Sequence, residues 1–201
     1  MYYNREKIVL ASKSPRRKKF LEEMGLSFTA ESVEIDEQPA AGEDPGHFVI
    51  RMAREKSAPV AENFPDRVII GGDTVVCLGT RILGKPFDEG DAVQQLMSLS
   101  GKWHEVMSGF TVLHQNKKLS VSQVVTTRVL FSDFSIQLAR AYVAAGESHD
   151  KAGSYGIQGK GVFLVEAVEG SYSNVVGLPV YELTEVLLKY GIIDIVEQSG
   201  A

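Results

Sequence analysis

Apolar residues first gather at Ile8-Val9-Leu10-Ala11, a run of strand length, which gives way to Ser12-Lys13-Ser14-Pro15. Proline suits the first position of a helix, and the serine before it can accept a bond from a free first-turn N–H. A strand, a tight turn and a helix are therefore expected in that order. A second strand is expected over 26–33, followed by an acidic turn, Glu34-Ile35-Asp36-Glu37. Asp44-Pro45 repeats the cap-and-proline signal. The spacing after it predicts a helix to about Asn63, with Val49, Met52, Ala53 and Lys56 on one face. The most apolar stretch is 67–78, and its near-continuous run predicts a strand covered on both faces. Gly71-Gly72 inside it predicts a bulge or kink, which would turn Asp73 and Thr74 toward one pocket. Farther on, Ala92, Val93, Leu96 and Leu99 mark a helix over 88–99. Two β-rich segments, 104–113 and 119–131, are joined by Gln115-Asn116-Lys117-Lys118 and predict a hairpin. A helix from Ser135 to Ala145 stopped by Gly146, a glycine-rich loop over 150–161, a strand over 162–168 and a helix from Pro179 complete the expected elements.

Composition narrows the classes. The 201 residues suit one large domain or two intimate lobes, and no linker or internal repeat is visible. No apolar run reaches membrane-spanning length, and Met1-Tyr2-Tyr3-Asn4-Arg5 has no signal-peptide core, so no membrane association is expected. The single cysteine, Cys77, suits a reducing cytoplasm. A net charge of −5 argues against a general nucleic-acid binder, because duplex binding needs a broad basic surface. The cations that matter must be local. Arg16, Arg17, Lys18 and Lys19 stand at a helix N-terminus, where they oppose the dipole while the free N–H groups attract anions. That combination points to a small polyanion carrying phosphate.

Two further residues change the picture. Lys56 lies on an apolar stripe, either snorkelling its stem over the core edge or holding a buried functional role. Asp73, inside an apolar run, is either a turn aspartate bonded to local N–H groups or a carboxylate that needs a metal, a cation or a raised pKa. Other chemistries recede. The four histidines lack paired metal-ligand spacing, no Gly-x-Ser-x-Gly elbow occurs, and Cys77 reads as core. Gly159-Lys160-Gly161 lacks the Ser or Thr of a Walker A loop. What remains is Arg16, Arg17, Lys56 and Lys85 with Glu37 and Asp73, a set suited to metal-assisted nucleotide hydrolysis.

Ser12-Lys13-Ser14-Pro15-Arg16-Arg17, Gly71-Gly72-Asp73-Thr74, Gly84-Lys85-Pro86, the segment 100–106, the segment 151–159 and Asn174-Val175-Val176-Gly177-Leu178-Pro179 together resemble the Maf family, in order and over nearly the whole chain. The resemblance implies an α/β fold with an elongated mixed sheet flanked by helices and a cleft between two lobes, similar to inosine triphosphatases, in one domain over 1–201. It implies a nucleoside triphosphate pyrophosphatase that needs a divalent cation, Mg or Mn, and forms a homodimer. By position, Asp73 resembles the family's catalytic base, and Ser12, Arg17, Glu37, Lys56 and Lys85 its phosphate- and metal-handling residues, with Glu37 and Asp73 as metal ligands. Arg16, Thr74 and Gln158 match positions associated with substrate choice, and resemble the dTTP/UTP branch rather than the 7-methyl-GTP one. Gly72 departs from the usual alanine, and Ser108-Gly109 from a common Thr-Ala, without loss of a charged group. Two rivals stand beside this reading: a housecleaning hydrolase for non-standard purine triphosphates, and a non-catalytic nucleotide-binding regulator of septum formation.

Overall fold

The structure is a computed structural model that describes residues 2–196; the expected domain over 1–201 runs past both ends of that span. The first apolar run is β2 (Ile8–Ala11), entirely buried, after a short β1 (Tyr2–Asn4). The turn then launches α1 (Pro15–Glu23), with the Ser14 side chain accepting from the Arg17 N–H as its sequence foretells. β3 (Phe28–Glu31) is shorter than expected, and α2 (Pro45–Asn63) has the expected bounds, capped by Asp44. β4 (Val68–Leu78) and β5 (Arg81–Leu83) lead to α3 (Glu89–Leu99). The hairpin of β6 (Trp103–His114) and β7 (Leu119–Phe131) is followed by α4 (Ile136–Ala144). β8 (Val165–Glu169), α5 (Tyr172–Val176), α6 (Val180–Lys189) and β9 (Ile193–Ile195) close the described chain.

Among the described residues, seven strands form a mixed sheet in the order β3-β2-β4-β6-β7-β8, with β5 also on β4. β1 and β9 pair separately and join the two ends of the described span. Neither that pairing nor α5 was foreseen. One expected strand is corrected: Gly159–Leu164 is a 3-10 helix, and β8 begins only at Val165. The reason lies in its neighbour. β8 pairs with β7 up to Phe131, where β7 ends, so the residues before Val165 have no strand to join.

β4 is the spine. One of its edges pairs with β6 in unbroken antiparallel register from Ile69 to Cys77. The other edge carries β2 in parallel over Val68, Ile69 and Ile70, then β5 antiparallel over Val76, Cys77 and Leu78. Among the described residues, no strand covers that edge from Gly71 to Val75. The sheet is therefore split along the middle of β4, between the end of β2 and the end of β5.

The kink expected at Gly71-Gly72 is absent, since the register runs straight through both residues. Alternation holds, so Gly71 and Asp73 face α2 while Gly72 and Thr74 face α1. The glycines serve close packing instead. A Cβ on Gly71 would stand 1.8 Å from Ser57 Oγ, and one on Gly109, opposite Asp73 on β6, 2.5 Å from the Val49 backbone carbonyl. α2 therefore rests directly on the sheet through Val49, Ala53 and Ser57, one helical ridge. On the opposite face, Ile8, Leu10, Ile70, Phe110 and Val112 bury against Leu21 and against Leu183 and Leu187 of α6. Beyond the split, α3 and α4 bury Leu96, Leu99 and Val143 with Leu83, Val129 and Phe131.

Gly109→Ala should lower stability by about 1–3 kcal/mol, because the Val49 backbone offers no side-chain end to move aside. Gly72→Ala meets its nearest atom, the Gly109 carbonyl oxygen, at 3.2 Å and should cost far less. Thermal unfolding of the two variants, compared with the parent, checks the contrast.

Candidate active site

The split in the sheet is where the charged residues meet. From the β2 side, the turn after Ala11 contributes Ser12, and the first turn of α1 contributes Arg16 and Arg17. Arg17 is buried with three groups around it: Nε donates to the Gly177 carbonyl at 2.8 Å, Nη1 to Ser12 Oγ at 3.2 Å and Nη2 to Thr74 Oγ1 at 3.1 Å. Burial draws its guanidinium below the ordinary value, while the charges of Asp73 and Glu37 oppose that shift. Thr74 also bonds Ser108 Oγ, its cross-strand neighbour on β6, at 2.8 Å.

The other face of β4 carries the second group. Lys56 Nζ donates to Asp73 Oδ1 at 2.6 Å and lies 2.9 Å from Glu37 Oε1. Lys85 Nζ approaches the other Glu37 oxygen at 3.6 Å. Lys56 does not snorkel, since its ammonium ends between two carboxylates and its side chain is only 15% exposed. The turn reading of Asp73 fails as well, because the residue sits within the unbroken β4–β6 ladder. Burial pushes the Glu37 carboxyl up, but Lys56 and Lys85 outweigh it and hold the group below the ordinary carboxylate value.

Residues 147–161 form a third wall. The Gly153 N–H donates to the Gly84 carbonyl beside Lys85, and Asp150 Oδ2 lies 3.0 Å from Arg16 Nη1. Gln158 is exposed at the head of the 3-10 helix and bonds none of the other candidates. The structure thus brings Ser12, Arg17 and Thr74 into one hydrogen-bonded group and Glu37, Lys56, Asp73 and Lys85 into an ion-paired one, with Arg16 beside the first and paired to Asp150, while Gln158 is brought to neither. Concavities of about 430 and 440 Å³, lined in part by Arg5 and Arg67 and by His114 and Lys118, share no residue with this cleft.

The Maf-like protein family model matches residues 7–190. The chain belongs to the Maf family. A Maf relative from Desulfotalea psychrophila named dTTP/UTP pyrophosphatase is 50% identical over 195 residues, 97% of this chain and 100% of the relative. Relatives of the same name from Geobacter sulfurreducens and Clostridioides difficile are 43% and 46% identical, covering 92% and 91% of this chain and 97% and 94% of their own. The Ham1 protein of Staphylococcus aureus shares the fold, with a TM-score of 0.56 at 11% identity over 92% of this chain and 100% of its own. The mixed α/β fold expected of a Maf chain is thereby shown. No helix among the described residues is long and apolar enough to cross a membrane.

Sequence reasoning missed the Gly177 carbonyl, Ser108 and Asp150 as parts of this Maf cleft. The 174–179 motif signalled the first, but a carbonyl has no residue identity to read. With Lys56→Met, the Glu37 carboxyl should titrate at higher pH than in the parent, as a carboxyl-directed NMR titration would show. The sign follows from its depressed value: the stabilisation from this pair is present above the ordinary glutamate value, is lost as pH falls through the folded one, and shrinks in the variant.

Proposed function

We propose that this chain is a nucleoside triphosphate pyrophosphatase that hydrolyses dTTP and UTP to the monophosphate and pyrophosphate. The observation that carries the reading is the gathering of Arg17, Lys56 and Lys85 with Asp73 and Glu37 at the split in the sheet. The shared name of the relatives supports the same substrates. No observation favours the purine-directed or the non-catalytic reading.

The triphosphate binds across the uncovered edge of β4. Arg17, Lys85 and the turn at Ser12 face its phosphates, and Lys56 supplies a further positive charge beside Asp73. Water attacks the α-phosphorus. Asp73 takes the proton as the new O–P bond forms and the bond to the bridging oxygen breaks, releasing pyrophosphate into the cationic side of the cleft. Asp73 and Glu37 also fit a divalent cation, Mg or Mn. Both are hard oxygen donors facing one ammonium, while the described residues hold no group of three or more His, Cys, Asp or Glu around a point. Two carboxylates suit a metal that completes its shell with water and phosphate oxygens. When bound, that ion neutralises charge on the phosphates.

In this reading Gln158 and Arg16 select the base. Uracil and thymine present an N3–H donor between two carbonyl acceptors, which an amide matches with two adjacent bonds. A guanidinium donates only, so Arg16 suits the carbonyl that cytosine replaces with an amine.

Asp73→Asn should fold and lose turnover by a factor of at least about 10², measured as pyrophosphate released from UTP with Mg present. Products of diphosphate and orthophosphate in the parent enzyme would overturn the cleavage position. Gln158→Glu should weaken UTP and dTTP turnover relative to CTP, because a carboxylate cannot donate to a base carbonyl. Steady-state kinetics on the three nucleotides decides that assignment.

A further inference from the structure

We infer that Asp150 is a positioning residue for base selection, holding Arg16 at the rim of the cleft against the repulsion of Lys151. This inference deepens the pyrophosphatase reading and rests on it. Asp150 divides its two oxygens between two cations that come from different walls. Oδ2 lies 3.0 Å from Arg16 Nη1 on α1, and Oδ1 lies 2.6 Å from Lys151 Nζ on its own loop. Lys151 has a second acceptor, the Glu147 carbonyl at 2.6 Å. Arg16 has no other hydrogen-bond or ion-pair partner among the described residues.

The loop does not depend on Asp150 for its shape. Gly153 N–H bonds the Gly84 carbonyl at 3.1 Å, Ser154 Oγ bonds Gln95 Oε1 at 2.8 Å, and Tyr155 Oη bonds His104 Nε2 at 2.8 Å. Ser154, Tyr155 and His104 are buried, and Gly153 packs so tightly on Val76 that a Cβ would stand 2.9 Å from it. Burial draws the His104 imidazole down to about 4, so this anchor stays neutral at neutral pH. Removing the Asp150 charge therefore leaves the anchored part of the loop, residues 153–155, in place. What it releases is Arg16, now near the Lys151 ammonium with no negative charge between them. An exposed ion pair adds little to stability, and with Asp150 60% exposed its consequence lies in orientation.

The test is steady-state kinetics of Asp150→Asn on UTP and CTP, at low and raised ionic strength, with Asp150→Glu and the double variant Arg16→Ala/Asp150→Asn alongside. In Asp150→Asn the KM for UTP should rise with kcat little changed, and the preference for UTP over CTP should fall about tenfold. Added salt should restore part of that preference in Asp150→Asn by screening Arg16 from Lys151. Asp150→Glu should restore most of it, and Asp150→Asn should have no further effect once Arg16 is alanine. An unchanged preference, equal loss on both nucleotides, or full additivity with Arg16→Ala would overturn the inference. A parent enzyme that releases no pyrophosphate from UTP would instead overturn the pyrophosphatase reading itself, and this inference with it.

Discussion

Backbone hydrogen bonding along β4 is the constraint on which the molecule turns. One edge of the strand is satisfied by β6 over nine residues, while the other is satisfied only at its ends, by β2 and by β5. A bare strand edge in a protein interior is costly, because each N–H and C=O there has lost water without gaining a partner. The edge from Gly71 to Val75 must therefore stay open to solvent or ligand, and that opening is the cleft. β2 cannot extend to close it, since Ser12-Lys13-Ser14-Pro15 commits the chain to α1 within four residues.

Alternation then distributes the chemistry. Asp73 and Thr74 are adjacent in sequence and lie on opposite faces of the strand, so two separate polar groups meet the same opening. On one face, Lys56 reconciles two carboxylates that would otherwise repel. On the other, Arg17 is held by a hydroxyl from each flanking element and by the Gly177 carbonyl, 160 residues away in sequence. The charges of Arg17, Lys56 and Asp73 are paired or hydrogen-bonded, as burial requires.

Local chemistry made much of this legible. The caps at Ser14, Asp44 and Ser135 and the prolines beside two of them located helices because cap bonds span three or four residues. The candidate charges could be named for the same reason, each standing at a turn or on a helix face. The split itself was not legible, because it depends on where β2 and β5 register against β4. Gly71-Gly72 misled for a related reason: a glycine marks either a bend or a close approach, and only the position of α2 separates the two. Asp150 carried no signal beyond its charge until the fold set it beside Arg16.

The backbone contact between α2 and the sheet has a consequence for motion. With Val49 against Gly109 and Ala53 and Ser57 against Gly71, the helix cannot slide or tilt without atomic overlap, so Lys56 is fixed relative to Asp73. That wall of the cleft behaves as one rigid body. Across the gap, α1 and the 147–161 segment meet instead through an exposed Arg16–Asp150 ion pair, a contact that adds little to stability and so leaves the separation of those two walls set by their own separate anchors.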